Sequence, residues 1–222
     1  MDRVAAIVVG AGSGERMGSD KIFAELAGKP VIAWTLDVLQ GCQAINEIIL
    51  VLHKDKMETG KKLVAQRGLT KVSAICAGGR LRQDSVKKGL QQVHGCQWAL
   101  VHDGARPFLT NKLIDDGIEA VKQTGAAAAA VLLKDTVKEV DTDELVIRTP
   151  ERGLLRAVQT PQVFRAEVLK EAYQALKGEF TDDAAVVERA GYKVKLYPGD
   201  HRNIKITTPQ DLLLAEITAG SR

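Results

Sequence analysis

The chain has 222 residues with 31 basic and 28 acidic side chains, a formal net charge of +3 at pH 7. That length suits one α/β domain, or one domain with a small appendage, and allows a sizeable core. The charge is too mild, and an aromatic content of 4% too low, for a nucleic-acid surface built on phosphate contacts and base stacking.

The first element in the chain is an apolar run, residues 4–9, that reads as a buried strand. It leads into Gly10-Ala11-Gly12-Ser13-Gly14-Glu15-Arg16-Met17-Gly18, with Lys21 just beyond. Four glycines in nine residues let main-chain N–H groups approach a ligand, and Arg16 and Lys21 supply positive charge beside them. A strand, a glycine-rich turn and two cations together suit a polyphosphate. The dinucleotide fingerprint fails here: counted from Gly10 its third glycine falls on Glu15, and counted from Gly12 on Met17. No Lys-Ser/Thr pair follows the glycines, so the P-loop pattern is absent too. What remains, G-x-G-x-R-M-G with a nearby lysine, resembles the signature loop of nucleotidyltransferases that load a sugar phosphate onto a nucleoside triphosphate.

Helix and strand patterns then alternate. Residues 31–39 carry apolar side chains at helical spacing behind Pro30, and residues 47–52 read as a second buried strand. Helices are predicted over 54–66, 81–93 and 111–123, and strands over 72–76 and 98–103. The alanine-rich stretch 126–133 is ambiguous by propensity, but its place after a helix that stops at Gly125 favours a strand. This order implies a Rossmann-like, mostly parallel twisted α/β sheet whose ligands gather beyond the carboxyl ends of its strands. The alternation breaks near Asp135. Residues 136–140 and 145–148 flank a polar turn, Asp141-Thr142-Asp143-Glu144, and predict a hairpin outside the parallel sheet. Such a hairpin is marginal alone, so a protruding arm over 135–155 that supports a dimer is expected on a single domain spanning 1–222.

The cysteines Cys42, Cys76 and Cys96 are odd in number, widely spaced and set in apolar contexts, which reads as free thiols in a reducing cytoplasm. The four histidines show no metal-ligand spacing. Neither a signal peptide nor a run of membrane-spanning length is expected.

Four later segments carry possible chemistry. Gly78-Gly79-Arg80-Leu81-Arg82-Gln83-Asp84-Ser85 joins a strand to a helix, and Ser85 reads equally as a ligand or as a first-turn helix residue. Val101-His102-Asp103-Gly104-Ala105-Arg106-Pro107 puts a carboxylate where a buried strand opens, a place that suits Mg²⁺ or, failing that, a capping Asp. Residues 157–164 form a non-helical insertion holding Gln159-Thr160-Pro161-Gln162. Residues 203–209 read as the end of a short strand running into a capped helix, with Lys205 as a lone cation for something anionic.

With Thr181-Asp182-Asp183-Ala184 and Asn203-Ile204-Lys205-Ile206-Thr207, these motifs stand in an order and spacing that resemble the 2-C-methyl-D-erythritol 4-phosphate cytidylyltransferase family. The resemblance spans nearly the whole chain, and a fused cyclodiphosphate synthase domain is not expected. It departs from the family at Val9-Gly10-Ala11-Gly12, where Pro-Ala-Ala-Gly is common, and at Asp20-Lys21-Ile22, where Pro-Lys-Gln is common.

The resemblance implies transfer of a cytidylyl group from CTP to methylerythritol phosphate, with Mg²⁺ or another divalent cation. It implies Arg16 and Lys21 as catalytic residues at the α-phosphate. Ala11, Gly12, Ser13, Gly14, Gly79, Arg82, Ser85, Asp103 and Gly104 would meet the nucleotide, with Asp103 also on the metal. Asp103, Arg106, Thr160, Thr181 and Lys205 would surround the sugar phosphate, joined by Thr136 and Arg152 from the arm of a homodimer partner. A ribitol 5-phosphate cytidylyltransferase shares the glycine loop, the aspartate and Gln-Thr-Pro-Gln; Thr181-Asp182-Asp183-Ala184 and the placement of Arg152 argue against it. A catalytically silent nucleotide-binding module is disfavoured by the joint presence of Arg16, Lys21, Asp103 and Lys205.

Overall fold

The computed structural model describes residues 2–12 and 21–220. Its organising strand is β1 (Val4–Gly10), whose apolar side chains alternate between two faces. Val4, Ala6 and Val8 enter a core formed with Ile32, Leu36 and Leu39 of α1 (Val31–Gly41), Leu63 of α2 (Met57–Gln66) and Leu113 and Ile114 of α4 (Asn111–Thr124). Ala5 and Ile7 enter the other face, against Val86 and Leu90 of α3 (Arg82–Leu90), Leu169 and Tyr173 of α5 (Ala166–Gln174) and Val186 and Val187 of α6 (Asp183–Arg189). A strand covered on both faces is apolar throughout, which is why residues 4–9 show no polar alternation.

The central sheet also contains β4 (Glu47–Leu52), β5 (Val72–Ala77), β6 (Trp98–Asp103), β7 (Ala126–Leu132), β10 (Arg156–Arg165) and β11 (Lys195–Pro198). Their order is β11-β7-β10-β6-β1-β4-β5. β1 pairs in parallel with β4 and β6, β4 with β5, and β11 with β7, as the predicted sheet requires. The alanine run is a strand: Ala126–Ala130 are all buried in β7, and small side chains there suit a strand enclosed between neighbours.

Several boundaries differ from expectation. The helix anticipated at 54–66 begins as a short 3-10 turn, Lys54–Lys56, and that anticipated at 81–93 spans only Arg82–Leu90. A two-stranded ribbon, β2 (Glu25–Leu26) with β3 (Lys29–Pro30), packs through Leu26 with Ala215 of α7 (Pro209–Gly220). Residues 203–207 have no strand pairing, although α7 does start capped, with Asp211 accepting the Thr207 and Thr208 N–H groups.

The larger difference is at 157–164. These residues form no insertion but most of β10, running antiparallel between β6 and β7. The register to β7 shifts between Val158 and Gln162, so Pro161 sits in a bulge where its missing N–H breaks no ladder bond. The Thr160–Pro161 bond is cis.

The predicted hairpin is present as β8 (Glu139–Val140) and β9 (Val146–Arg148), with Asp141 accepting from the Asp143 and Leu145 N–H groups in its turn. All residues of both strands are exposed.

Gly89 of α3 lies so close to the sheet that a Cβ there would meet Ile7 Cγ2 at 2.6 Å and Val51 Cγ2 at 2.8 Å. Gly89→Ala gains about 1 kcal/mol in helix propensity but overpacks the interface, at about 1–3 kcal/mol. We expect a net loss in urea unfolding; a variant as stable as the wild type would show that α3 can lift off the sheet freely.

Candidate active site

The carboxyl ends of β1, β5 and β6 open on one cleft. Ala11, Gly12 and Lys21 line one side, Gly79, Arg82 and Ser85 another, and Asp103 and Lys205 complete it. The structure thus gathers eight of the anticipated residues around a single space. Ser13, Gly14 and Arg16 lie outside the described residues.

The turn after β5 is shaped by Ser85. The Gly79 N–H donates to Ser85 Oγ at 3.1 Å, and that hydroxyl donates to the Leu81 carbonyl at 3.2 Å. Asp84 accepts from the Leu81 N–H. At Gly78 any Cβ would overlap Ala11 and crowd Ser85, so only glycine lets this turn press against the first loop. Ser85 is a buried first-turn residue that also borders the cleft.

Asp103 closes β6 beside Val9 of β1. Its Oδ1 accepts from Arg82 Nε at 2.9 Å, its Oδ2 faces Lys205 Nζ at 2.7 Å, and Arg106 Nε stands 3.9 Å from Oδ2. Burial alone would raise this carboxyl; the adjacent Arg82, Lys205 and Arg106 charges outweigh it and hold Asp103 far below the usual carboxylate range. Arg82 is held protonated by the same pairing, since Asp183 and Asp103 together overcome its own desolvation. The lone cation at Lys205 thus has an anion within the chain. Asp103 is neither a helix cap nor an open ligand.

Behind the cleft lies a directed hydrogen-bond chain. The Arg106 carbonyl, 3.1 Å from His102 Nε2, can only accept, so that nitrogen carries the proton. Nδ1 then accepts from the Thr160 hydroxyl at 3.2 Å, which leaves Thr160 Oγ1 to accept the Asp103 N–H at 3.0 Å. Thr160 is buried, with its hydroxyl engaged in seating Asp103. Gly104 is packed against Ile32 with its N–H on the Val9 carbonyl, and does not line the cleft. Arg106 is tied to the Asn203 carbonyl at 2.6 Å. Thr181 is exposed just before α6, and Thr136 and Arg152 are exposed on the arm, where Arg152 holds the Lys134 carbonyl at 2.6 Å.

Asp183 and Tyr173 had no assigned part, yet both are buried next to Arg82, with Arg82 Nη1 2.8 Å from Asp183 Oδ2. Two adjacent acids are visible in the sequence; that they start a helix, and which of them turns inward, is not. Among the described residues, no group of three or more His, Cys, Asp or Glu side chains could hold a metal ion, and no helix is long and apolar enough to cross a membrane. The three cysteines are free.

Burial pushes the His102 pKa down to about 4, against a smaller opposing effect of its bond to the Arg106 carbonyl. An unfolded histidine titrates near 6.5, so the unfolded chain binds the proton first as pH falls. The stability that neutral His102 confers is complete above about pH 6.5 and lost down to about pH 4, roughly 3 kcal/mol in all. Urea unfolding of the ligand-free protein should show this slope, and His102→Asn should flatten it. An equal slope in both proteins would assign the pH dependence elsewhere.

Comparison with known proteins agrees with this geometry. The family model described as IspD, 2-C-methyl-D-erythritol 4-phosphate cytidylyltransferase, matches residues 4–220. A 2-C-methyl-D-erythritol 4-phosphate cytidylyltransferase from Dehalococcoides mccartyi is 51% identical over 217 residues, 97% of this chain and 96% of the relative. One from Clostridium perfringens is 44% identical over 221 residues, with 97% and 98% covered. The crystal structure of 4-diphosphocytidyl-2C-methyl-D-erythritol synthase from Anaerococcus prevotii is similar at a TM-score of 0.88 and 33% identity, covering 99% of this chain and 96% of that one.

Proposed function

The chain belongs to the 2-C-methyl-D-erythritol 4-phosphate cytidylyltransferase family, and from that membership we propose the reaction it carries out. It joins CTP to 2-C-methyl-D-erythritol 4-phosphate, giving 4-diphosphocytidyl-2-C-methyl-D-erythritol and pyrophosphate for non-mevalonate isoprenoid synthesis. The observation that carries this reading is the cation-rich cleft: Lys21, Arg82 and Lys205 border one space beyond the strand ends, with Arg82 and Lys205 paired to Asp103.

An oxygen of the sugar phosphate attacks the α-phosphorus of CTP; the new P–O bond forms as the α–β bond breaks and pyrophosphate leaves. The attacking group is already anionic, so no general base is needed, and both nitrogens of His102 are engaged. The difficulty is bringing two anions together, which positioned cations and main-chain N–H groups relieve. Lys21 and Arg16 serve the α-phosphate, the main chain at Ala11, Gly12 and Gly79 approaches the nucleotide, and Lys205 and Arg106 face the sugar phosphate.

A divalent cation, Mg²⁺ by preference, accompanies the triphosphate. Asp103 does not fit as its ligand in this arrangement, because Arg82 and Lys205 engage its two oxygens. Phosphate oxygens and water are then its ligands, the usual habit of Mg²⁺.

Lys21→Ala is expected to lower turnover about 10²–10³-fold, the loss typical of one preorganised electrostatic group, with the fold unchanged. The assay is pyrophosphate release from CTP with methylerythritol phosphate or ribitol 5-phosphate, run side by side. Faster turnover of the ribitol compound would overturn the substrate assignment, and no turnover of either would overturn the enzymatic reading. Lys21→Ala within a few-fold of wild type would remove this residue from the reacting phosphate.

We further propose that the arm covers a second copy of the chain in a homodimer. Leu145, Val146 and Ile147 are 65, 58 and 60% exposed, and Leu154 is 78% exposed. Among the described residues these apolar side chains are left largely uncovered, and a two-stranded hairpin is marginal alone. A two-fold pairing would bury them and carry Thr136 and Arg152 to the neighbouring sugar phosphate. Mixing inactive Lys21→Ala with inactive Arg152→Ala should then restore activity through hybrids with one intact site. Demonstrated subunit exchange without recovery would place Arg152 in its own subunit's site or in none.

A further inference from the structure

Of the two acids in Thr181-Asp182-Asp183-Ala184, the first plays an ordinary structural part. Asp182 caps α6 through the Ala185 N–H and accepts from Gln162. Asp183 has a different environment. It is fully buried, its Oδ1 accepts from the Tyr173 hydroxyl, and its Oδ2 lies 2.8 Å from Arg82 Nη1 in an ion pair that is not aligned as a hydrogen bond. Tyr173 is itself buried. A buried ion pair of this kind is a weak source of stability, because desolvation of both charges offsets their attraction. It can, however, hold Arg82 in one place, which an apolar pair could not do.

The two carboxylates grip different nitrogens of one guanidinium: Asp103 takes Nε from the end of β6, and Asp183 takes Nη1 from the start of α6. An arginine beside a single carboxylate tends to engage both of its oxygens through a planar fork. Here Arg82 engages only Oδ1 of Asp103, and Oδ2 is left to Lys205. We infer that Asp183, steadied by Tyr173, is a positioning residue: it draws Arg82 away from Asp103 Oδ2 and so keeps Arg82 and Lys205 apart at their separate places along the cleft. The inference rests on the cytidylyltransferase reading. Neither Asp183 nor Tyr173 lines the cleft, so both act through Arg82.

Asp183→Asn keeps the shape and an acceptor for Tyr173, but removes the charge that holds Nη1. Arg82 would then close on both oxygens of Asp103 and displace Lys205. Misplacement of about 1 Å can lower a rate about 10²-fold, so kcat should fall about 10–100-fold with the KM for CTP within about three-fold of wild type. In an Arg82→Lys background the same change should add less than two-fold. Additive losses in the two backgrounds, or an unchanged kcat in a folded variant, would overturn the proposal.

A second readout is independent of turnover. The Arg82 Nε–H resonance, assigned by its loss in Arg82→Lys, should be protected from solvent exchange in the wild type, then shift and exchange faster in Asp183→Asn. If Asp183→Asn does not fold, Tyr173→Phe decides: a three- to ten-fold lower kcat with a shifted Arg82 signal supports the proposal, and neither change overturns it. If the wild type fails to turn over CTP and methylerythritol phosphate, the functional reading falls. The Arg82 signal alone then decides whether Asp183 positions it.

Discussion

The carboxylate of Asp103 is buried at the end of β6 with a guanidinium on one oxygen and an ammonium on the other. A lone ionised carboxylate at that depth would be strongly disfavoured, and the group would neutralise instead. Here three cations from three parts of the chain, Arg82, Arg106 and Lys205, keep it charged. The dependence is mutual. Each cation gains from the carboxylate at the base of a partly buried cleft, while Asp183 and the Asn203 carbonyl give Arg82 and Arg106 second partners. The positive charge of the cleft is therefore assembled around Asp103, with Asp183 as a second anion for Arg82.

That arrangement requires the Asp103 backbone itself to be held. The N–H of Asp103 is received by Thr160, Thr160 in turn donates to His102, and His102 donates to the Arg106 carbonyl. Around the bulge of β10 the same principle recurs: Asn203 donates to the Thr160 carbonyl, Tyr197 to the Pro161 carbonyl, and Gln162 bridges Asp182 and the Ala184 N–H. These are the polar groups that look out of place in a central strand. Each finds a partner on another element, which is how a buried polar network becomes specific rather than costly.

The two faces of the sheet and the arm follow opposite rules. On the sheet, alternate residues of β1 feed two separate cores, and small residues at Gly89 and along β7 let helices and strands approach closely. On the arm, apolar side chains are displayed rather than covered. Among the described residues nothing buries these side chains, which sets the arm apart from the sheet.

Most of the sheet was legible from local pattern. Buried parallel strands read as continuous apolar runs, helices by their spacing, and the glycine turn and its cations by their adjacency in the chain. The same holds for the hairpin, since its turn and both flanking runs are contiguous. Other features depended on which distant segments become neighbours. Nothing local in Gln159-Thr160-Pro161-Gln162 marks a central strand, because its proline and polar side chains are accommodated only by a bulge and by partners such as Asn203 and Asp182. Lys205 announced a need for an anion, and Asp103 a need for cations; that each meets the other follows from laying residues 203–206 beside the end of β6, where the Ile206 N–H reaches the Ala105 carbonyl. Asp182 and Asp183 are adjacent and chemically identical, and only the packing of α6 against α5 turns one to cap a helix and the other inward to hold Arg82. Local propensity acts over a few residues, whereas charge pairing in a low-dielectric interior acts between whatever the strand order brings together.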